Sequence, residues 1–161
     1  MDEGSLLPAD GVSMGELQVQ GPMVFGGYLG RPDADAQAFT TDGWFRTGDV
    51  VTIAPDGTHR IVGRASTDLI KSGGYKIGAG EVEDALLAVP GVREAAVIGS
   101  PHPDLGEQVT AFVVADGVSE QQLIDHVAGQ LSAHKRPRRV HFVTDLPRNP
   151  LGKVLKRRLE P

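Results

Sequence analysis

Apolar and polar residues alternate along short runs in the first third of the chain, as they do in half-buried β-strands. Strands are predicted at residues 15–21, 50–54 and 59–62. The sequence Pro55-Asp56-Gly57 predicts a hairpin turn between the last two strands. A short helix is predicted from Asp33 to Phe39, with Asp33 as its N-cap. This part of the chain is therefore expected to form a small antiparallel β-unit.

The apolar spacing becomes helical after Asp68. One helix is predicted from Ala79 to Val89, and a second from Glu120 to Leu131 with Ser119 as its N-cap. Further strands are predicted at residues 92–98, 108–115 and 140–143. The remaining segments predict a polar loop at 100–106, an exposed loop at 146–152 and a basic helix at the C-terminus.

The order of these elements predicts an α+β fold. A short antiparallel β-subdomain is followed by a small α+β domain, in which a hairpin and a three-stranded sheet are packed by helices. The composition changes between Arg64 and Asp68, and the domain boundary is predicted there.

Charge is distributed unevenly along the chain. Residues 134–161 contain nine Lys and Arg against two acidic residues, although the chain as a whole has a net charge of -5. A basic end can bind nucleic acid, but prolines and apolar residues interrupt these charges and no aromatic platform accompanies them. A phosphate-bearing small ligand or a solvated face fits better, and no nucleic-acid partner is expected.

The composition also excludes several classes of protein. The chain has no cysteine, and its five histidines have no metal-site spacing, so no metal site is predicted. No apolar run approaches the roughly 20 residues of a spanning helix. We expect a cytoplasmic protein without a membrane partner.

Four segments have residue types suited to binding a phosphorylated ligand. Asp49 follows a glycine and can accept hydrogen bonds from a ribose diol, although it also fits a plain turn. Arg64 can bind phosphate or ribose oxygens, although it also fits a surface ion pair.

The other two segments are glycine-containing loops with lysines. Gly73-Gly74 predicts a tight hairpin, and the tip Ser72–Lys76 allows a ligand to approach its backbone, with Lys71 and Lys76 nearby. Residues 147–153 form a Pro- and Gly-stiffened loop ending at Lys153, which could neutralise a developing phosphate charge. Each also fits an exposed basic loop.

In this order, the four segments resemble the adenylate-forming superfamily of acyl-CoA synthetases, adenylation domains and luciferases. The resemblance lies in three stretches: GELQVQGPMVFGGYLGRP with DGWFRTGDV, GRASTDLIKSGGYKIGAGEVE, and LPRNPLGKVLKRRL. The SGGYK sequence and an extra residue between Arg64 and Asp68 are most similar to malonyl-CoA synthetases.

The resemblance implies an ATP-dependent acid–CoA ligase. Such enzymes convert a carboxylate and ATP to an acyl-adenylate and pyrophosphate with Mg2+, then rotate a C-terminal domain so that CoA displaces AMP. It implies that Lys153 is catalytic and that Asp49, Arg64 and Lys153 bind ATP or the adenylate. It also implies that Ser72, Gly73, Gly74 and Lys76 contact CoA.

The resemblance implies three regions as well. Residues 1–63 would end a large adenylating domain, 64–68 would be the hinge, and 69–161 would be the mobile C-terminal domain. The superfamily commonly has Asp or Lys at the hinge position occupied here by Ser66, and with one inserted residue Thr67 is the second candidate.

The superfamily's Ser/Thr/Gly-rich phosphate loop, acyl pocket and adenine segment have no counterpart in these 161 residues. Most of the ATP and Mg2+ contacts would therefore come from a large N-terminal domain, and the chain alone is expected to be inactive. Two alternatives remain open: a non-catalytic fragment or stand-alone domain that complements a separate large domain, and an adenylation domain that loads a carrier protein.

Overall fold

The computed structural model describes residues 5–160, so residues 1–4 and 161 of the predicted domains lie outside the described residues. The chain divides into two compact units, Met1–Ser66 and Thr67–Pro161. This division falls within the predicted segment 64–68, and its role as a hinge stays a prediction. Each unit has its own sheet, as the predicted α+β fold requires.

The first unit is a three-stranded antiparallel sheet with one short helix. Its elements are β1 (Gly15–Val19), α1 (Pro32–Ala38), β2 (Phe45–Ile53) and β3 (His59–Arg64), with β2 in the centre. The predicted cap of α1 is wrong. Pro32 takes the first helical position, where its missing N–H costs nothing, so the cap falls on Arg31 and Asp33 lies inside the first turn.

Strand β2 begins five residues before the predicted start at Val50. The segment around Asp49, which also fitted a plain turn, lies within the strand, because Asp49 pairs with Arg64 of β3. Gly48 makes this possible by adopting a φ of 74°, a conformation that is unfavourable for residues with a Cβ.

The second unit contains a five-stranded sheet and two helices. Its elements are β4 (Leu69–Ser72), β5 (Tyr75–Gly78), α2 (Ala79–Leu87), β6 (Val92–His102), β7 (Gly106–Ala115), α3 (Glu120–Gln130) and β8 (Arg139–Phe142). Strand β7 is central: it pairs with β6 along one edge, and with β8 and the end of β4 along the other.

Local signals in this unit are largely confirmed. Ser72 pairs with Tyr75 across Gly73-Gly74, whose φ values of 57° and 83° fit a two-residue hairpin turn. Ser119 caps α3 through its Oγ, which accepts the Gln122 N–H at 3.3 Å.

Three predictions for this unit need correction. The hairpin and the three strands form one sheet, because Ser72 pairs with Gly106. Strand β6 continues to His102, through the first three residues of the predicted polar loop, since Pro101 is tolerated where β6 forms the sheet edge. The C-terminal helix is only a 3-10 turn, Lys156–Arg158.

The two faces of this sheet bury different groups. Helices α2 and α3 cover one face, where Val82, Leu86, Leu123 and Val127 are fully buried. On the other face, Leu146 and Leu159 from the C-terminal segment pack with Ala96, Phe112 and Val114. The C-terminal segment is therefore held on the sheet by its own apolar side chains.

Candidate functional site

Asp49 and Arg64 form an ion pair in the first unit. The Arg64 Nε lies 2.8 Å from the Asp49 Oδ1, and Arg64 Nη1 donates to the Thr47 carbonyl at 2.8 Å. The ion-pair interpretation of Arg64 is confirmed, and its partner is the other candidate residue, Asp49. The carboxylate is only 25% exposed while the guanidinium is 56% exposed, so the arginine covers the aspartate.

Gly48 sets how closely the guanidinium approaches β2. A Cβ built on Gly48 would lie 3.3 Å from Arg64 Nη1. Gly48 therefore has two effects. Its positive φ permits the backbone conformation of β2 at this point, and its lack of a Cβ leaves room for the Arg64 guanidinium.

The hairpin of β4 and β5 presents two lysines next to each other. Lys71 and Lys76 are paired directly across the strands, and both are exposed. Like charges in such a pair repel, and an anion would relieve that repulsion. Ser72 is buried, whereas Gly73 and Gly74 form the exposed tip.

Two contacts support the hairpin tip. The Gly73 N–H donates to the Leu105 carbonyl at 3.0 Å. The Tyr75 ring stacks on His134 with centroids 4.1 Å apart. The tip is therefore packed against neighbouring parts of the same unit.

Lys153 ends a loop that is fixed by Asn149. The Asn149 Oδ1 accepts the backbone N–H groups of Leu151 at 3.0 Å and of Lys153 at 2.9 Å. The Asn149 N–H donates to the Lys153 carbonyl at 2.9 Å. An asparagine in this role organises a turn, and it leaves the Lys153 side chain on the exposed surface.

Arg148 joins this loop to the sheet. Its Nη1 donates to the Gly152 carbonyl at 2.7 Å, and its Nη2 pairs with the Glu94 carboxylate on β6. The prolines and the glycine predicted a stiff loop, but nothing in the sequence assigned roles to Arg148, Asn149 or Glu94.

A partly buried cation, Lys156, lies three residues after Lys153. The Lys156 Nζ is 2.7 Å from Asp68 Oδ1 and 2.8 Å from Glu83 Oε1. Burial lowers the pKa of Lys156, but the charges and hydrogen bonds of Glu83 and Asp68 raise it by more, so its pKa lies above the usual value of 10.5. Sequence reasoning missed this group, because its two carboxylates lie far from Lys156 along the chain.

The predicted hinge residues Ser66 and Thr67 lie in the turn at 65–68, between β3 and β4, and both are exposed. Ser66 ends one compact unit and Thr67 begins the next.

Residues 81–153 match the family described as AMP-binding enzyme C-terminal domain. This segment belongs to that family. It contains most of α2, all of α3, strands β6, β7 and β8, and the whole loop from Pro147 to Lys153.

Longer relatives extend the similarity beyond the C-terminal domain. The chain is 46% identical to the mitochondrial malonate–CoA ligase of Bos taurus, with 90% of the chain and 25% of the relative covered. It is 44% identical to the 3-methylmercaptopropionyl-CoA ligase of Ruegeria lacuscaerulensis, with 98% and 29% covered. The chain is thus homologous to acid–thiol ligases.

Solved structures agree with this family assignment. ATP-bound MatB from Rhodopseudomonas palustris matches with a TM-score of 0.82 and 44% identity, over 94% of this chain and 30% of that one. A malonyl-CoA ligase with methylmalonyl-CoA and AMP bound matches with a TM-score of 0.52 and 58% identity, over 89% and 32%.

The chain spans about a quarter to a third of the length of the relatives it matches. Within residues 5–160, no group of three or more His, Asp or Glu side chains is placed to hold a metal ion. Across the same residues, no helix has the length and hydropathy to cross a membrane.

Proposed function

We propose that this AMP-binding enzyme C-terminal domain, with the β-unit before it, forms the C-terminal portion of an ATP-dependent acid–CoA ligase. In the first half-reaction a carboxylate oxygen attacks the α-phosphorus of ATP, and pyrophosphate leaves. In the second, the CoA thiol attacks the carbonyl carbon of the acyl-adenylate, and AMP leaves.

The observation that carries the proposal is the presentation of Lys153. Asn149 and Arg148 hold the backbone of residues 151–153 through hydrogen bonds, and Arg148 also pairs with Glu94, while the Lys153 side chain stays exposed. A cation on a rigid loop can stabilise charge that develops on the α-phosphate and the attacking carboxylate without rearranging during the reaction. We assign Lys153 to the adenylation step.

Asp49 and Arg64 are assigned to the ribose and phosphate of the nucleotide. An ionised carboxylate offers about four lone-pair sites, so Asp49 can hold Arg64 and still accept ribose hydroxyls. A guanidinium presents its donors in a planar fork that matches phosphate and ribose oxygens. Arg64 lies beside Asp49 on the paired strand and is 56% exposed, so a bound nucleotide could reach it.

The hairpin tip is assigned to CoA in the second half-reaction. Ser72, Gly73, Gly74 and Lys76 would contact the pantetheine arm, because a tip without Cβ atoms admits a close approach. The facing pair Lys71 and Lys76 would attract the phosphates of CoA.

A rotation of the C-terminal domain between the half-reactions is part of the proposal. We place its hinge at Ser66 or Thr67. The exposed turn at 65–68 and the division of the chain after Ser66 support this placement. Mg2+ would accompany ATP, with ligands outside residues 5–160.

Malonate is the proposed acid. The identity of 46% to a malonate–CoA ligase and of 58% to a malonyl-CoA ligase supports it. The 3-methylmercaptopropionyl-CoA ligase, named for another acid, has a similar identity of 44%, so the choice between the acids is tested by ATP–pyrophosphate exchange of this chain joined to its own N-terminal domain, with each acid in turn. The proposed partners are ATP, CoA, the acid and a large N-terminal domain, in the cytoplasm.

The test compares the chain alone with a chimera. In the chimera, this chain replaces the segment that it matches in the bovine malonate–CoA ligase, and the unaltered bovine enzyme is the control. ATP–pyrophosphate exchange with malonate should be absent with the chain alone and present with the chimera, whose acyl pocket comes from the bovine enzyme.

Two outcomes would contradict the proposal. A folded chimera without exchange, beside an active bovine enzyme, would favour a non-catalytic domain. If the chimera forms the acyl-adenylate but transfers the acyl group only to a carrier protein, the acceptor is a carrier protein and not CoA.

A further inference from the structure

Lys156 occupies the centre of a charged cluster within the second unit. Its Nζ lies within 2.8 Å of both the Asp68 and the Glu83 carboxylates. The three side chains are each only 19–22% exposed. A cation that is hydrogen-bonded to two carboxylates at this low solvent exposure is fixed in position, since each hydrogen bond is charge-assisted.

Each carboxylate-bearing residue also anchors another element. The Asp68 carbonyl accepts the N–H of Ala79, the first residue of α2, at 2.7 Å. The Glu83 Oε1 accepts the Val97 N–H of edge strand β6 at 2.7 Å. Lys156 therefore connects the beginning of the second unit, helix α2 and strand β6 to the C-terminal segment.

The Lys153 loop lies between two attachments to β6. On its N-terminal side, Arg148 pairs with Glu94. On its C-terminal side, Lys156 meets Glu83, which binds Val97 of the same strand. Leu159, 9% exposed, fixes the chain just beyond.

The neighbouring cations lack this environment. Arg157 and Arg158 follow directly, and both are exposed. The basic run thus contains one partly buried cation and two exposed ones. The raised pKa of Lys156 agrees with a group that stays charged while it is largely removed from water.

We propose that Lys156 is a positioning residue, which locks the C-terminal segment to Asp68 and Glu83 so that Lys153 is presented correctly for adenylation. The inference rests on the proposed function of Lys153. Lys156 itself does not touch the reactants; it acts through the backbone that carries Lys153.

The test uses the bovine chimera with Lys156→Met, which keeps most of the side-chain volume and removes the charge. Adenylation should lose about tenfold or more in kcat, because a small misplacement of a catalytic group is costly. Conversion of supplied malonyl-adenylate and CoA to the thioester should stay within about threefold. Lys156→Arg should recover most of the adenylation rate, and Arg157→Met should match the wild type.

A second readout does not depend on activity. In the 161-residue chain, hydrogen exchange of the Leu151 and Lys153 amides should accelerate by about tenfold in Lys156→Met, while core amides such as Val109 and Ala111 stay protected. Equal acceleration at all these amides would show a general loss of stability and overturn the positioning role.

The possible failures are distinguishable. If the wild-type chimera does not adenylate, the proposed function has failed. If the chimera is active and Lys153→Ala abolishes adenylation, yet Lys156→Met adenylates at the wild-type rate, the positioning role is wrong. Equal loss of both half-reactions in Lys156→Met would likewise overturn it.

Discussion

Arg64 Nε and Asp49 Oδ1 are 2.8 Å apart across paired positions of β3 and β2. The sequence predicts the two residues as separate candidates for nucleotide binding, and the structure joins them in one ion pair. In the bovine chimera, Asp49→Asn and Arg64→Gln should therefore each raise the KM for ATP by about tenfold, and the double variant by less than the product of the two. Arg60→Gln, which removes an exposed arginine from the same strand, should leave the KM unchanged. Fully multiplicative effects would show that the pair does not act as a unit.

Gly48 gives a second test of the same pair. Gly48→Ala places a Cβ at a φ of 74° and 3.3 Å from Arg64 Nη1, so the variant should lose about 1–2 kcal/mol of stability and bind ATP more weakly. Gly57→Ala is the matched control, because Gly57 has a φ of 84° and a Cβ added there would meet nothing within 4 Å. Gly57→Ala should lose similar stability without a change in the KM for ATP. Equal KM values for ATP in the two variants would show that Gly48 does not determine the position of Arg64.

Lys71 and Lys76 should oppose folding and favour binding. Lys76→Gln removes a like-charge pair, so it should raise the unfolding free energy of the chain by about 0.2–1 kcal/mol. In the chimera it should also raise the KM for CoA, more strongly at low ionic strength. Arg139→Gln, on β8 and also exposed, should leave the KM for CoA unchanged. A stability gain with an unaltered KM for CoA would remove these lysines from the CoA site.

The charge of Lys156 should give its stabilisation a definite pH range. Its pKa in the folded chain lies above the usual 10.5, so its contribution is fully present below that value and is lost as the pH rises through the folded pKa. At about pH 8 the unfolding free energy of the wild type should exceed that of Lys156→Met by about 1–3 kcal/mol, since the ion bridge to Asp68 and Glu83 is partly buried. Urea unfolding should show this difference shrinking by about pH 12. A difference that is constant or grows with pH would contradict the ion bridge.

Short-range patterns predicted much of the fold. Gly73-Gly74 specified the hairpin, and Ser119 specified the start of α3, because each acts on its own neighbours. The helix predicted for the basic C-terminal segment is wrong. Its helix is limited to one 3-10 turn, because Val154 pairs with Arg148 and Lys156 is held by two distant carboxylates.

The candidate site was only partly predictable, because sequence patterns show local features and not contacts between distant residues. The residue types of the Lys153 loop are visible in the sequence, whereas the contacts that orient it are not. Lys156 and Asp68 are 88 positions apart, and Arg148 and Glu94 are 54 apart. Nothing local distinguishes Lys156 from Arg157, so only the fold reveals which of the two is partly buried and paired with carboxylates.

The assignment of Lys153 to adenylation is tested most directly by measuring both half-reactions of Lys153→Ala in the bovine chimera. ATP–pyrophosphate exchange should fall by about a hundredfold or more, because a preorganised charge at the reacting phosphate is lost. Thioester formation from supplied malonyl-adenylate and CoA should stay within about threefold of the wild type. Equal losses in the two half-reactions, or an unchanged exchange rate, would contradict the role assigned to Lys153.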